Sequence, residues 1–279
     1  MKYITRLKRL LTGLPAGIIL SGLFLIIILI CVLIPGILVP DALAQDLGRS
    51  NLPAWTPGHI LGTDVLGRDV FSMLIAGSRS AMIGPIAIAS GSLLIGVLLG
   101  SIAGWYGGLI DRIISSYADL TLSMPSMLLA IVAAGVIGGG YWVSVLVMII
   151  LYSPFDIRLV RSAVIVQKNK LYIESALVLR IKTLRILAQH IFPNIIMLVM
   201  VNFFLNIAFG LVSMSSLSFL GLGVGPGEAD WGRLLADGRQ FLFTNPAQAI
   251  GSGVLIILTA VSINVIGNYA LEKGELNEN

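Results

Sequence analysis

A chain of 279 residues that is 57% hydrophobic and 11% charged, with a mean hydropathy of +0.96, departs from soluble proteins, in which about a quarter of residues are charged. The net charge of +4 comes from Lys and Arg bracketing apolar runs, without the aromatic–basic pattern of a nucleic-acid-binding protein. One cysteine, Cys31, excludes an intrachain disulfide, and two distant histidines, His59 and His190, have no metal-ligand spacing.

Taken in order, residues 1–13 form a short basic segment (Lys2, Arg6, Lys8, Arg9), and residues 14–39 form the first transmembrane helix. That run exceeds the apolar core of about 7–15 residues found in a signal peptide, so it is read as uncleaved. Residues 40–77 hold Pro- and Gly-rich turns and then a lead-in helix, with Asp69 as its cap and Val70, Phe71 and Leu74 facing inward. The core, residues 78–269, carries five further spans. The second covers Ala81 to Ala103, where Gly96 and Gly100 permit close helix contact. Trp105 and Tyr106 follow as interfacial anchors. The third, about Ile113 to Val136, contains Asp119 and Pro125, and the fourth begins near Trp142 and is interrupted at Pro154 and Asp156. The fifth runs from Ile195 to Met214, the sixth from Ala247 to Asn268, and residues 270–279 are a polar tail.

Between spans four and five, residues 168–194 are basic and amphipathic. With no Gly or Pro from Leu171 to Phe192, they read as helix. Glu174, Leu177, Val178 and Ile181 share one face, an apolar stripe headed by a carboxylate. That surface suits either a groove on a partner or a flat seat on anionic lipid. With six spans and both termini on one side, that side holds thirteen Lys and Arg against five opposite. It is therefore assigned to the cytoplasm, and the basic loop with it.

The order Glu174-Ser175-Ala176, closing with Ile191-Phe192-Pro193-Asn194, resembles the EAA loop of ABC-importer permeases. The stretch GTDVLGRDVFSMLIAG resembles a signature of the dipeptide, oligopeptide and nickel branch through Gly62, Thr63, Asp64, Gly67, Arg68, Asp69, Ser72 and Gly77, with Met73 in place of the usual Arg. SLSFLGLGV followed by Trp231-Gly232, including Phe219, Gly221 and Gly223, resembles a second signature of that branch. The resemblance spans Gly62 to Asn268. It implies a multi-pass cell-membrane subunit paired with a second permease, two cytoplasmic ATPase subunits and an extracytoplasmic solute-binding protein. In that family the loop docks on the ATPase, which here involves Glu174, Ser175, Ala176, Leu177, Val178, Arg180, Ile181 and Pro193. Arg180 stands where the family usually has the Gly that allows the turn between two short helices.

No P-loop, GxSxG or HExxH order occurs, so the chain is no enzyme and carries no cofactor or metal of its own; ATP belongs on partner subunits. The cargo implied is a di- or oligopeptide, with nickel or a metal chelate as the alternative. An ion-coupled secondary transporter is the rival class, using Asp119 or Asp156. Asp119, however, lies near the cytoplasmic start of its span, and Asp156 has Arg158 and Arg161 close by on its own helix, which favours solvated or paired structural roles for these acids. Asn202 and Asn206, four apart, share a face of span five. They either hydrogen-bond across helices or line a polar path.

Overall fold

The computed structural model describes residues 15–278; the basic segment read from Lys2, Arg6, Lys8 and Arg9 lies outside the described residues. The described chain is helical: α1 (Ala16–Leu33), α2 (Pro35–Leu38), α3 (Val70–Tyr106), α4 (Gly108–Leu122), α5 (Ser126–Ile137), α6 (Tyr141–Lys168), α7 (Leu171–Val178), α8 (Thr183–Ile186), α9 (Phe192–Phe219), α10 (Trp231–Gly238) and α11 (Ala247–Glu278). Five helical segments are long and apolar enough to cross a membrane: α1, α3, α6, Thr183–Phe219 and Ala247–Ala270. The pair α4 and α5, counted as one span, makes six.

Several boundaries differ from the sequence reading, each for a local reason. The lead-in helix and the second span are one 37-residue helix, α3, because no breaker stands between Asp69 and Gly107 except Pro85, which the helix absorbs. Phe71 points outward while Val70 and Leu74 are buried, as a turn of 3.6 residues requires when its neighbours face the core. The third span is bent by 89° between α4 and α5. Pro125 has no N–H to continue the ladder and is itself extended (ψ 113°), so the chain turns and restarts at Ser126. Pro154, by contrast, does not interrupt α6, which runs unbroken to Lys168. The expected tail continues α11 as helix to Glu278.

The tightest helix pair is α3 with α6, and glycine is the reason. A Cβ on Gly96 would lie 2.3 Å from Asp156 Cβ, one on Gly100 2.7 Å from the Ile157 carbonyl, and one on Gly104 2.8 Å from the Arg161 carbonyl. The Gly96–Gly100 pair seen in the sequence is thus part of a three-glycine track on which α6 lies backbone to backbone. By contrast α1 buries only Ile28 and is apolar all round, the pattern of a peripheral span.

Candidate functional site

The basic loop is two short helices rather than the single helix its composition suggested. Helix α7 starts after Lys170 and ends at Val178, where the chain reverses. The Arg180 N–H donates to the Leu177 carbonyl at 2.9 Å, and the Ile181 N–H reaches back to the Ala176 carbonyl at 3.2 Å. Those two bonds make a Schellman motif with Arg180 at the left-handed position, φ +54°. An L-residue with a side chain costs roughly 1–2 kcal/mol there, which glycine avoids. Helix α8 follows, then a π turn at Leu187–Ile191 leads into α9. Pro193, in the first turn of α9, has no N–H and would crowd the Gln189 carbonyl, so the ladder widens ahead of it.

This arrangement divides the loop's apolar residues between two faces. Ile173, Ala176, Ile186 and Ile191 are buried in one cluster with Trp105, Val160, Val164, Ile195 and Val199, and Ile181 packs against it. Leu171 (79% exposed), Val178 (82%), Leu179 (74%) and Leu184 (78%) form a projecting crown. The stripe expected from periodicity is therefore split: Leu177 and Val178 project, while the reversal at Arg180 turns Ile181 inward. Glu174 and Ser175 are exposed on α7, and Lys170, Arg180, Lys182 and Arg185 surround the crown. Trp105, expected as an interfacial anchor, is instead buried beneath the loop. Lys168 donates to its carbonyl oxygen and lies 5.5 Å from its ring centroid, while Tyr106 is exposed. The Tyr172 hydroxyl bonds Gln167 Oε1 at 2.8 Å and accepts from Asn194, so it staples the end of α6 to the start of α9. Sequence reasoning missed Tyr172; its position among Lys and Leu carries no motif.

At the opposite end the two glycine-rich signatures interlock. Asp64 accepts from the backbone N–H groups of Leu66 (2.9 Å) and Arg68 (2.8 Å), and its other oxygen takes both Nε and Nη2 of Arg68 at 2.6 Å. Both residues are buried, and Arg68 Nη1 continues to the carbonyl of Gly227, 159 positions away. Gly62 (φ +75°) and Gly67 (φ +73°) are required, because a Cβ would meet the Leu52 and Asp46 carbonyl oxygens at 2.2 and 1.8 Å. Asp69 caps α3 through the Ser72 N–H (2.8 Å) and also meets His59 Nδ1 at 2.9 Å. Met73, in place of the usual Arg, is core.

In the second signature Trp231 is fully buried and donates its indole N–H to the Leu74 carbonyl at 2.8 Å. Gly232 lies against the Ser215 carbonyl, and Gly223 against Ser218. Gly221 turns at φ +81°, and Phe219 has the Arg239 guanidinium 5.3 Å above its ring. Asp230 caps α10 and accepts from Ser80 Oγ at 3.0 Å; burial pushes its carboxyl above the ordinary range.

Of the two acids within the spans, Asp119 is paired as expected and Asp156 is held differently. Arg158 pairs with Asp119 and Arg161 with Asp111, tying α4 to α6 and leaving no cation for Asp156. Asp156, fully buried, is instead held by the side-chain amides of Asn202 and Asn206, the latter at 2.8 and 3.1 Å to its two oxygens. The two asparagines bond across helices, as one of the sequence readings had it. Only their meeting with Asp156 was invisible, since nothing in a sequence aligns α6 with α9. Among the described residues no group of three or more His, Cys, Asp or Glu is placed to hold a metal.

Comparison with known proteins adds the following. Residues 96–272 match the family model described as binding-protein-dependent transport system inner membrane component. The chain is 36% identical over 210 residues to the glutathione transport system permease protein GsiD of Pectobacterium atrosepticum, covering 75% of this chain and 70% of that protein. It is 34% identical over 242 residues to the dipeptide transport system permease protein DppC of Alkalihalophilus pseudofirmus, covering 86% and 79%. With the probable D,D-dipeptide transport system permease protein DdpC of Escherichia coli K12 it shares 29% identity over 263 residues, covering 94% and 88%. Its fold matches a chain of the inward-facing MetNI methionine ABC transporter with a TM-score of 0.59 at 15% identity, covering 73% of this chain and 96% of that one.

Proposed function

The chain belongs to the binding-protein-dependent transport system inner membrane components, and from that premise we propose that it forms half of a translocation pathway for di- or oligopeptides. As a multi-pass inner-membrane permease subunit of an ABC importer it leaves ATP hydrolysis to a separate subunit, which displaces the ion-coupled alternative. The peptide reading is supported by the names of the relatives, which refer to dipeptides, D,D-dipeptides and glutathione. In the assembly we envisage, this subunit pairs with a second permease, meets two ATPase subunits on its basic, cytoplasmic side and receives cargo from a solute-binding protein on the other. Both termini lie on the cytoplasmic side.

The observation that carries the proposal is the crown of Leu171, Val178, Leu179 and Leu184, projecting from a loop whose underside is packed. Burying a side chain of this size contributes about 1.5–3 kcal/mol, so the crown supplies enough driving force to seat the loop in an apolar groove. The loop is continuous with α6 and α9, and Tyr172 staples their ends together. Closure of the ATPases around ATP would move both helices with the loop and switch the pathway from inward-open to outward-open. Glu174, exposed on α7, is the partner for a cation of the ATPase.

The test is co-purification. The wild-type protein, solubilised from its native membrane, is expected to bring down an ATPase and a second permease. The variant Val178→Asp/Leu179→Asp, altered only at exposed positions, is expected to keep the permease and its own melting temperature while losing the ATPase. Undiminished ATPase recovery with that variant would refute the docking role. Cargo is then tested by stimulation of ATP hydrolysis with the binding protein loaded with dipeptides or with nickel chelates.

A further inference from the structure

Arg180 is the one described residue of the basic loop with a left-handed backbone, and the turn has no use for its side chain. The Schellman bonds come from the backbone N–H groups of Arg180 and Ile181, and the hydrophobic closure comes from Ile181 and Ala176, so glycine would serve the fold better. The guanidinium is exposed and has no hydrogen bond or ion pair among the described residues. The other charges of the loop offer no compensation: Lys170, Lys182 and Arg185 are like charges, and Glu174, on α7, makes no ion pair among the described residues. A strained backbone carrying an unpaired planar cation at the tip of a projecting turn points to a group outside the chain.

We propose that Arg180 reads the identity of the ATPase, its guanidinium pairing with a carboxylate in the groove that receives Val178 and Leu179. This rests on the docking role proposed above. Val178 and Leu179, 82% and 74% exposed, immediately precede Arg180, so seating them carries the guanidinium into the same groove and away from water. There a two-pronged bond to a carboxylate gains strength that a solvated lipid headgroup would not provide. The consequence is partner choice: an ATPase lacking that acid fits the apolar crown yet is bound weakly.

The experiment uses the full permease pair in nanodiscs of phosphatidylcholine, titrated with its ATPase at low and high salt. Arg180→Gly is expected to raise the melting temperature, weaken ATPase binding roughly tenfold and flatten its salt dependence, with Arg180→Lys intermediate. Binding and salt dependence equal to wild type in Arg180→Gly would overturn the proposal while leaving the docking role intact, provided Val178→Asp still abolishes binding. Full binding by Val178→Asp would remove the docking role and this proposal together. A defect in Arg180→Gly that appears only in discs containing anionic lipid would assign the guanidinium to lipid phosphate and overturn the proposal as well.

Discussion

The glycine track on α3 allows a graded test of the packing. At Gly96 an added Cβ would stand 2.3 Å from Asp156 Cβ and 2.9 Å from the Asp156 carbonyl carbon. Ordinary carbon contacts begin near about 3.5 Å, so α6 must retreat by roughly 1 Å along a helix pair that has no loose side chain to yield. Overpacking of this kind costs about 1–3 kcal/mol, and the retreat also strains the bonds from Asn202 and Asn206 to Asp156. Gly96→Ala is therefore expected to lower the melting temperature by several degrees. At Gly91 the clash is with the Ile149 side chain alone (Cδ1 at 2.7 Å, Cγ1 at 2.9 Å) and not with backbone, so Gly91→Ala should cost less. At Gly135, an exposed position in α5 with nothing within 4 Å, Gly135→Ala should stabilise by about 0.5–1 kcal/mol through the unfolded chain. The assay is thermal unfolding of the three purified variants in one detergent. Equal melting temperatures for Gly96→Ala and wild type, or a loss at Gly135 as large as at Gly96, would refute the backbone-to-backbone account of α3 and α6.

Other expectations follow from the buried polar groups. Arg68→Met leaves the Asp64 carboxylate buried and unpaired, so it should destabilise by about 3–5 kcal/mol, and pairing it with Asp64→Leu should recover part of that loss in a double-mutant cycle. Asn206→Leu removes an amide from Asp156 and should cost about 1–3 kcal/mol in chemical denaturation, against a smaller loss for Asp156→Asn. Asp230 has its carboxyl raised by burial, so the native protein holds that proton more tightly than the unfolded chain. Its contribution is thus full below the unfolded carboxylate value of about 3.9, falls as pH rises toward the raised native value, and is flat above it. Asp230→Asn keeps the cap and should flatten that segment of the stability–pH curve.

The legible part of the candidate site was its chemistry, carried by residue types at fixed spacing. Glu174 to Pro193 announced an exposed basic amphipathic loop, and Asp69 its cap on α3, because such features depend on neighbours within a few positions. The break at Arg180 was not legible from periodicity: an uninterrupted run of helix formers hides a reversal that depends on Ile181 finding Ala176 and the cluster beneath. The role of Trp105 was misread for a related reason. An aromatic residue at the end of a span sits equally well at a lipid interface or under a loop, and only the loop's placement distinguishes the two.

What the sequence determined by itself is the membrane class, the approximate position of the apolar spans, and which connecting segments carry the cations. All of these follow from the cost of placing charge in hydrocarbon, which acts on each segment separately. What only the tertiary structure decided is which polar groups meet. Asp156 finds Asn202 and Asn206 rather than Arg158 or Arg161, and Arg68 reaches past its own turn to Gly227. The first pairing depends on the register of α6 against α9, with α6 seated on α3 by glycine contacts of a few ångströms. The second depends on the loop after α9 reaching the turn before α3, and in both cases the segments lie far apart in the chain. Partner choice inside a low-dielectric bundle is a matter of distance, and distance between helices is not written in the order of residues within them.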